Sequence, residues 1–169
     1  MALLYLEKRT DKLAPKMELS QNLKALLQEI GESSALLQLC MRLHENEHWR
    51  VYRNYAEHGC DLVLVGPSKQ IKIEVKTRQN VIKKKAERNS LHFTLSASER
   101  ESAQFVIAYW FDRSAYFIVP TADLVPAKSG AKTLYKFIAY YSNVKQDFTE
   151  QSKKYHEAWH HIIDLTGAT

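Results

Sequence analysis

Asp61, Glu74 and Lys76 are the residues whose types and spacing point to chemistry. They fall in CDLVLVGPSKQIKIEVKT, where two β-rich runs flank Gly66-Pro67-Ser68-Lys69, a stretch of turn-forming composition. Pairing Val65 with Gln70 across that loop sets Leu62 against Ile73, Leu64 against Ile71 and Asp61 against Glu74. Side chains alternate faces along a strand, so one side of this hairpin is aliphatic and the other carries Asp61, Lys72, Glu74 and Lys76. Two carboxylates opposed across strands repel each other. A divalent cation between them converts that repulsion into binding, and Mg²⁺ suits a site of few carboxylates and several retained waters. Lys76 follows Glu74 by two residues on the same face, within reach of a bound water or a phosphate.

The neighbouring elements must hold this hairpin in place. Residues 16–30 set Leu19, Leu23, Leu26, Leu27 and Ile30 at helical spacing, and Gly31 either ends that helix or bends it. A second helical stretch from Glu32 to about His44 has Leu36, Leu37, Cys40, Met41 and Leu43 as its apolar stripe. Trp49 to Tyr55 alternates and predicts a strand. After Thr77 the chain turns strongly basic, with Lys83, Lys84, Lys85 and Arg88. LHFTL reads as extended, and Ser96 with Glu99 forms a capping-box signature for a short helix. Strands are predicted at Phe105–Phe111 and Ala115–Val119 around Asp112-Arg113-Ser114, with a further one at Thr133–Tyr141. A C-terminal helix from about Thr149 is predicted to bury Tyr155, Trp159, Ile162 and Ile163. Helices, then mostly antiparallel strands, then a helix make a mixed α+β (α/β) domain. With no Pro/Gly/Ser-rich linker, the chain reads as one domain over residues 1–169, with 1–30 as an N-terminal helical extension.

Asp61, a hairpin, then Glu74-Val75-Lys76 resembles the PD-(D/E)XK nuclease superfamily, over roughly residues 31–120. WRVYRN, GCDLVLV and IKIEVKTR follow in the family's order, and FVIAYWFDRSAYFIVPTADL resembles its second pair of strands. Gly31-Glu32-Ser33-Ser34-Ala35 resembles the helix that contributes an acid, with Glu32 at the matching position and Glu29 its nearest competitor. One departure is that Cys60 stands where a proline conventionally precedes the aspartate. The resemblance implies a restriction-endonuclease-like core, a central mixed β-sheet flanked by helices. It implies an Mg²⁺-dependent endonuclease acting on DNA phosphodiesters, with Mn²⁺ as a substitute ion. Asp61 and Glu74 would hold the metal with the Val75 carbonyl, and Lys76 would orient water or stabilise charge. Glu32 would bind a second metal. Arg78, Gln79, Lys83, Lys84, Lys85 and Arg88 would contact the DNA backbone. Cutting both strands of a duplex favours a symmetric homodimer.

Composition narrows the alternatives. The 169 residues are 45% apolar and 25% charged, which excludes a disordered or collagen-like chain. No apolar run reaches the roughly 20 residues of a membrane helix. The N-terminus lacks a basic region and cleavage site, so no signal peptide is expected and the cytoplasm is the expected location. The net charge of +5 admits a polyanionic partner without demanding one. His156 with His160 and His44 with His48 are spaced i, i+4, but neither pair brings the third and fourth ligands of a zinc site. Cys40 and Cys60 read as packing thiols. Two other classes stay open. One is a non-catalytic nucleic-acid-binding module of the same fold, and the other is a structural or interaction domain.

Overall fold

The computed structural model describes residues 20–56, 59–79 and 87–167. The first element is one continuous helix, α1 (Gln21–Arg42), capped by the Ser20 hydroxyl accepting from the Leu23 amide at 3.3 Å. It passes through Gly31 without a break. Glycine is required there by contact, since a Cβ at position 31 would lie 1.6 Å from Thr77 Oγ1. The buried face is Gly31, Ala35 and Leu39, while Leu37, Met41 and Cys40 are exposed. The predicted stripe is therefore only partly right: Leu43 is buried and Leu36 packs against the core, while Leu37, Cys40 and Met41 face outward, because close approach to the sheet is made through the small residues Gly31 and Ala35. Residues 16–19 lie outside the described residues.

The strands are β1 (Arg50–Arg53), β2 (Leu62–Val65), β3 (Gln70–Arg78), β4 (Arg88–Ser96), β5 (Phe105–Trp110), β6 (Ala115–Pro120), β7 (Val125–Ser129), β8 (Lys132–Ser142) and β9 (Asp147–Phe148). A five-stranded sheet has the order β1-β2-β3-β5-β6, with β3 and β5 parallel and the other neighbours antiparallel. The β2–β3 hairpin has the predicted register, Val65 with Gln70 and Leu62 with Ile73. A four-stranded sheet is built on β4-β8-β7, with β9 also on β8. Between β4 and β5 lies a short helix, α2 (Ala97–Ser102), which carries the predicted capping box.

Alternation divides the core into two layers. Ile71, Ile73, Val75, Ile107, Tyr109 and Ile118 pack with α1 through Ala35 and Leu39. Val106, Ala108, Trp110, Phe117 and Val119 face the second sheet through Leu91, Phe93, Leu95 and Phe137. Strands β5 and β6 are covered on both faces, which is why they read as unbroken apolar runs. The fold is mixed α+β, a central mixed sheet flanked by helices.

The C-terminal expectation needs correction. The C-terminal segment is not one helix but two single turns, α3 (Glu150–Lys153) and α4 (His160–Ile163). Between them the chain pairs with the free edge of β6: the Ile118 amide donates to the Tyr155 carbonyl at 2.9 Å and the Glu157 amide to the Tyr116 carbonyl at 2.8 Å. A backbone serving that edge cannot also be helical, so His156 and His160 do not share a helix face. Trp159 and Ile162 are nonetheless buried, as expected. Strand β7 is not among the predicted strands: Pro126 interrupts its pattern, and a proline is tolerated on such a sheet edge. Among the described residues, no helix is long and apolar enough to cross a membrane.

Candidate active site

Strand β3 continues past β2. The ladder between them stops at Leu62–Ile73, while β3 runs on to Arg78. Asp61 does not extend that ladder opposite Glu74. Its amide donates to the Ile73 carbonyl at 3.0 Å, and its carboxylate folds onto the Val75 amide, Oδ2 accepting at 2.6 Å. Side chains thus take over the hydrogen bonding of β3 where its neighbouring strand ends.

Glu74 and Lys76 align with Val106 and Ala108 of β5, on the sheet face that meets the second layer. Glu74 is 4% exposed. Its Oε1 accepts from Lys76 Nζ at 2.7 Å, and its Oε2 is buried with no hydrogen-bond partner among the described residues. Lys76 Nζ lies equally close, 2.7 Å, to Glu99 Oε1. Glu99 is the capping-box glutamate of α2, and its Oε2 accepts the Ser96 amide at 2.6 Å. One carboxylate therefore both starts a helix and holds the lysine.

From the other side α1 brings Gln28 and Glu32, one turn apart on the same face. The Gln28 carboxamide donates to the Val75 carbonyl at 2.7 Å and to Glu32 Oε1 at 3.0 Å. Glu32 Oε2 is 4.0 Å from Arg53 Nε. Gln28, Glu32, Asp61, Glu74, Lys76 and Glu99 line a common cavity of about 610 Å³, with Ser96 at its wall. Among the described residues, no group of three or more His, Cys, Asp or Glu side chains is arranged to hold a metal ion.

The electrostatics follow from burial. Desolvation, then the neighbouring Asp61, pushes the Glu74 carboxyl up to about 7. Desolvation, opposed by the Val75 amide and aided by Glu32, pushes Asp61 up to about 6. Burial works against the Lys76 ammonium, but Glu74 and Glu99 hold its pKa above the ordinary lysine value. Burial would also raise Glu99, yet its bonds to Lys76 and Ser96 outweigh that and lower it. The cavity is an acidic site whose two central carboxylates are short of positive charge, which is the donor chemistry a hard divalent cation would satisfy.

Of the remaining expected site residues, those described are not at the cavity wall. Arg78 ends β3 and is exposed, as is Gln79 after it. Arg88 opens β4, its guanidinium 4.5 Å over the Tyr140 ring. Lys83, Lys84 and Lys85 lie outside the described residues. Glu29 is exposed and does not line the cavity, so Glu32 is the helix acid nearest the pair. Sequence reasoning missed Gln28 and saw Glu99 only as a cap. The i, i+4 spacing of Gln28 and Glu32 was the available signal for the first.

No family model and no curated protein sequence matches the chain. Solved structures do. A bacterial homing endonuclease, I-Ssp6803I, superposes with a TM-score of 0.56 at 17% identity, covering 86% of this chain and 96% of that one. The Holliday junction resolvase Hjc of the archaeal hyperthermophile Archaeoglobus fulgidus superposes with a TM-score of 0.52 at 18% identity, covering 84% of this chain and 97% of that one. At such identities the likeness is one of fold.

Proposed function

We propose that this chain, which has the restriction-endonuclease-like fold, is a divalent-metal-dependent endonuclease that hydrolyses DNA phosphodiester bonds. The observation that carries this reading is the buried Glu74 oxygen, without a hydrogen-bond partner among the described residues, beside Asp61 and with Lys76 two residues along the same strand. Both carboxyls are pushed up by burial and Glu74 also by its neighbour, so the pair fits a cation that relieves desolvation and repulsion together. Asp61 and Glu74 would hold Mg²⁺, or Mn²⁺ in its place, with the Val75 carbonyl offering the lone pair that Gln28 leaves free. Glu32 would serve a second ion directly or through water. When bound, such an ion supplies a more acidic water and positive charge against the charge developing on the phosphate.

The chain's own groups do the rest. Lys76, steadied by Glu74 and Glu99, presents an ammonium for the scissile phosphate or the attacking water. Arg78, Gln79, Lys83, Lys84, Lys85 and Arg88 give sequence-independent, salt-sensitive contacts to the backbone. DNA as the substrate is supported by the names of the fold neighbours, a homing endonuclease and a Holliday junction resolvase. Restriction, junction resolution, homing and repair all fit this chemistry.

Cutting both strands calls for two copies. Leu23, Leu26, Ile30, Leu37 and Met41 are 41–59% exposed on the side of α1 away from Gly31, Ala35 and Leu39. Positions 23, 26, 30 and 37 follow the 3.5-residue repeat by which helices pair with their own kind, which supports a second copy of the chain as the partner for this stripe. Sedimentation should show a dimer that Leu37→Glu dissociates.

A non-catalytic binding module is the second reading, favoured by the neutralisation of Lys76 between two carboxylates. The deciding experiment incubates supercoiled, linear and branched DNA with the protein in Mg²⁺ or EDTA. Cleavage in Mg²⁺ alone supports the nuclease. Salt-sensitive retention without cleavage supports the binding module, and the absence of both leaves a structural domain.

A further inference from the structure

Gln28 makes three hydrogen bonds, two of them to the backbone of β3 beyond the end of its ladder with β2. Its Nε2 donates to the Val75 carbonyl at 2.7 Å, and its Oε1 accepts the Thr77 amide at 3.2 Å. A carboxamide that donates to one residue and accepts from the next but one reproduces the two bonds a parallel strand would make at Lys76. The second N–H of the same Nε2 goes to Glu32 Oε1 at 3.0 Å. Both donors and one acceptor lone pair of the side chain are thereby committed, and only a carboxamide offers that set from one planar group.

The consequence reaches the acids. Val75 is tied twice, through its amide to Asp61 and through its carbonyl to Gln28. Glu32 is tied to the same carboxamide. Gln28 therefore fixes, in one frame, the strand segment that carries Glu74 and Lys76 and the carboxylate of Glu32.

We infer, on the metal-binding reading of this site, that Gln28 is its positioning residue: it sets the affinity for a divalent cation without touching the ion. Groups that orient metal ligands in this way typically carry roughly 10–100-fold in affinity. Gln28→Met keeps the length of the side chain and loses all three bonds. Gln28→Glu keeps the acceptor for Thr77 and loses both donors, while adding a charge beside Glu32. A purely structural role, completing the edge of β3, predicts a lower melting temperature with unchanged cation affinity.

The test is calorimetric titration of the metal-free protein with Mg²⁺, for the wild type, both Gln28 variants and Asp61→Asn/Glu74→Gln. In parallel, the Gln28 side-chain amide protons of the wild type are followed by NMR during the same titration, a readout that depends on no variant folding. The expected result is binding weakened at least roughly 10-fold in Gln28→Met. The Gln28 amide protons should exchange slowly and shift with the calorimetric midpoint. Wild-type binding that Gln28→Met leaves within about twofold, or Gln28 protons that exchange as a free amide does, overturns the inference alone. Binding heat absent from the wild type, or unchanged in Asp61→Asn/Glu74→Gln, overturns the metal-binding reading and the inference with it.

Discussion

Lys76 and Glu99 meet at 2.7 Å across 23 positions of sequence, one on the central sheet and the other on the first turn of α2. The contact joins the strand of the proposed site to the helix that follows the second sheet's first strand. It also places a fourth carboxylate, with Glu32, Asp61 and Glu74, around a single lysine in the cavity.

Glu99→Gln preserves an acceptor for the Ser96 amide and removes the charge. Duplex DNA should then bind a few-fold more tightly at low salt, because one unit of repulsion toward phosphate is gone. Single-turnover cleavage should slow, because Lys76 loses one of two anchors. Binding isotherms and cleavage time courses check both halves, and a variant unchanged in both would show the Lys76–Glu99 pair to be incidental.

The raised pKa values give a pH dependence with a definite sign. Asp61 and Glu74 hold their protons more tightly in the folded state, at about 6 and 7, than at their ordinary 3.8 and 4.5. Their contribution to stability is present below the ordinary values and is lost as pH rises through 6 and 7. Without metal, Asp61→Asn/Glu74→Gln should be more stable than the wild type at pH 8 by up to roughly 6 kcal/mol, about 3 from each group at about 1.36 kcal/mol per unit. The gap should close toward pH 4. Denaturant unfolding in EDTA at the two pH values measures it, and a gap independent of pH would contradict the assignment.

Gly31→Ala reverses the usual helix rule. Alanine in place of an interior glycine ordinarily stabilises a helix by about 1 kcal/mol. Here the new methyl would meet Thr77 Oγ1 at 1.6 Å and Thr77 Cβ at 2.8 Å. Overpacking of that kind costs about 1–3 kcal/mol, so the variant should be less stable than the wild type. Thr77→Ala in the same chain should recover part of the difference, as thermal unfolding would show.

Much of this was legible in the residues. The β2–β3 register follows from strict alternation and a four-residue turn, and a slip by one position would expose Leu62, Leu64, Ile71 and Ile73, all buried here. The buried face of α1 was not legible, because its contact residues are Gly31 and Ala35 while leucines occupy both sides. The C-terminal helix failed because the edge of β6, a non-local partner, claims residues 155–157. At the site, Asp61, Glu74 and Lys76 come from one hairpin and could be read together. Gln28 and Glu99 reach the cavity only through tertiary packing of α1 and α2, which local pattern does not encode.

Neutralising Lys83, Lys84 and Lys85 together should weaken DNA binding and lower its salt slope by about 0.9 for each phosphate no longer neutralised by the protein. Turnover at saturating DNA should change far less. Affinity measured across a salt series decides this, and an unchanged slope would remove the run from the binding surface.

The most direct measurement is Mg²⁺-dependent nicking and linearisation of supercoiled DNA by the wild type beside Asp61→Asn, Glu74→Gln and Lys76→Met, with DNA retention recorded on the same samples. The account predicts cleavage by the wild type that EDTA abolishes, and loss of cleavage in all three variants with DNA binding retained. Cleavage at the wild-type rate by Asp61→Asn or Glu74→Gln would contradict it.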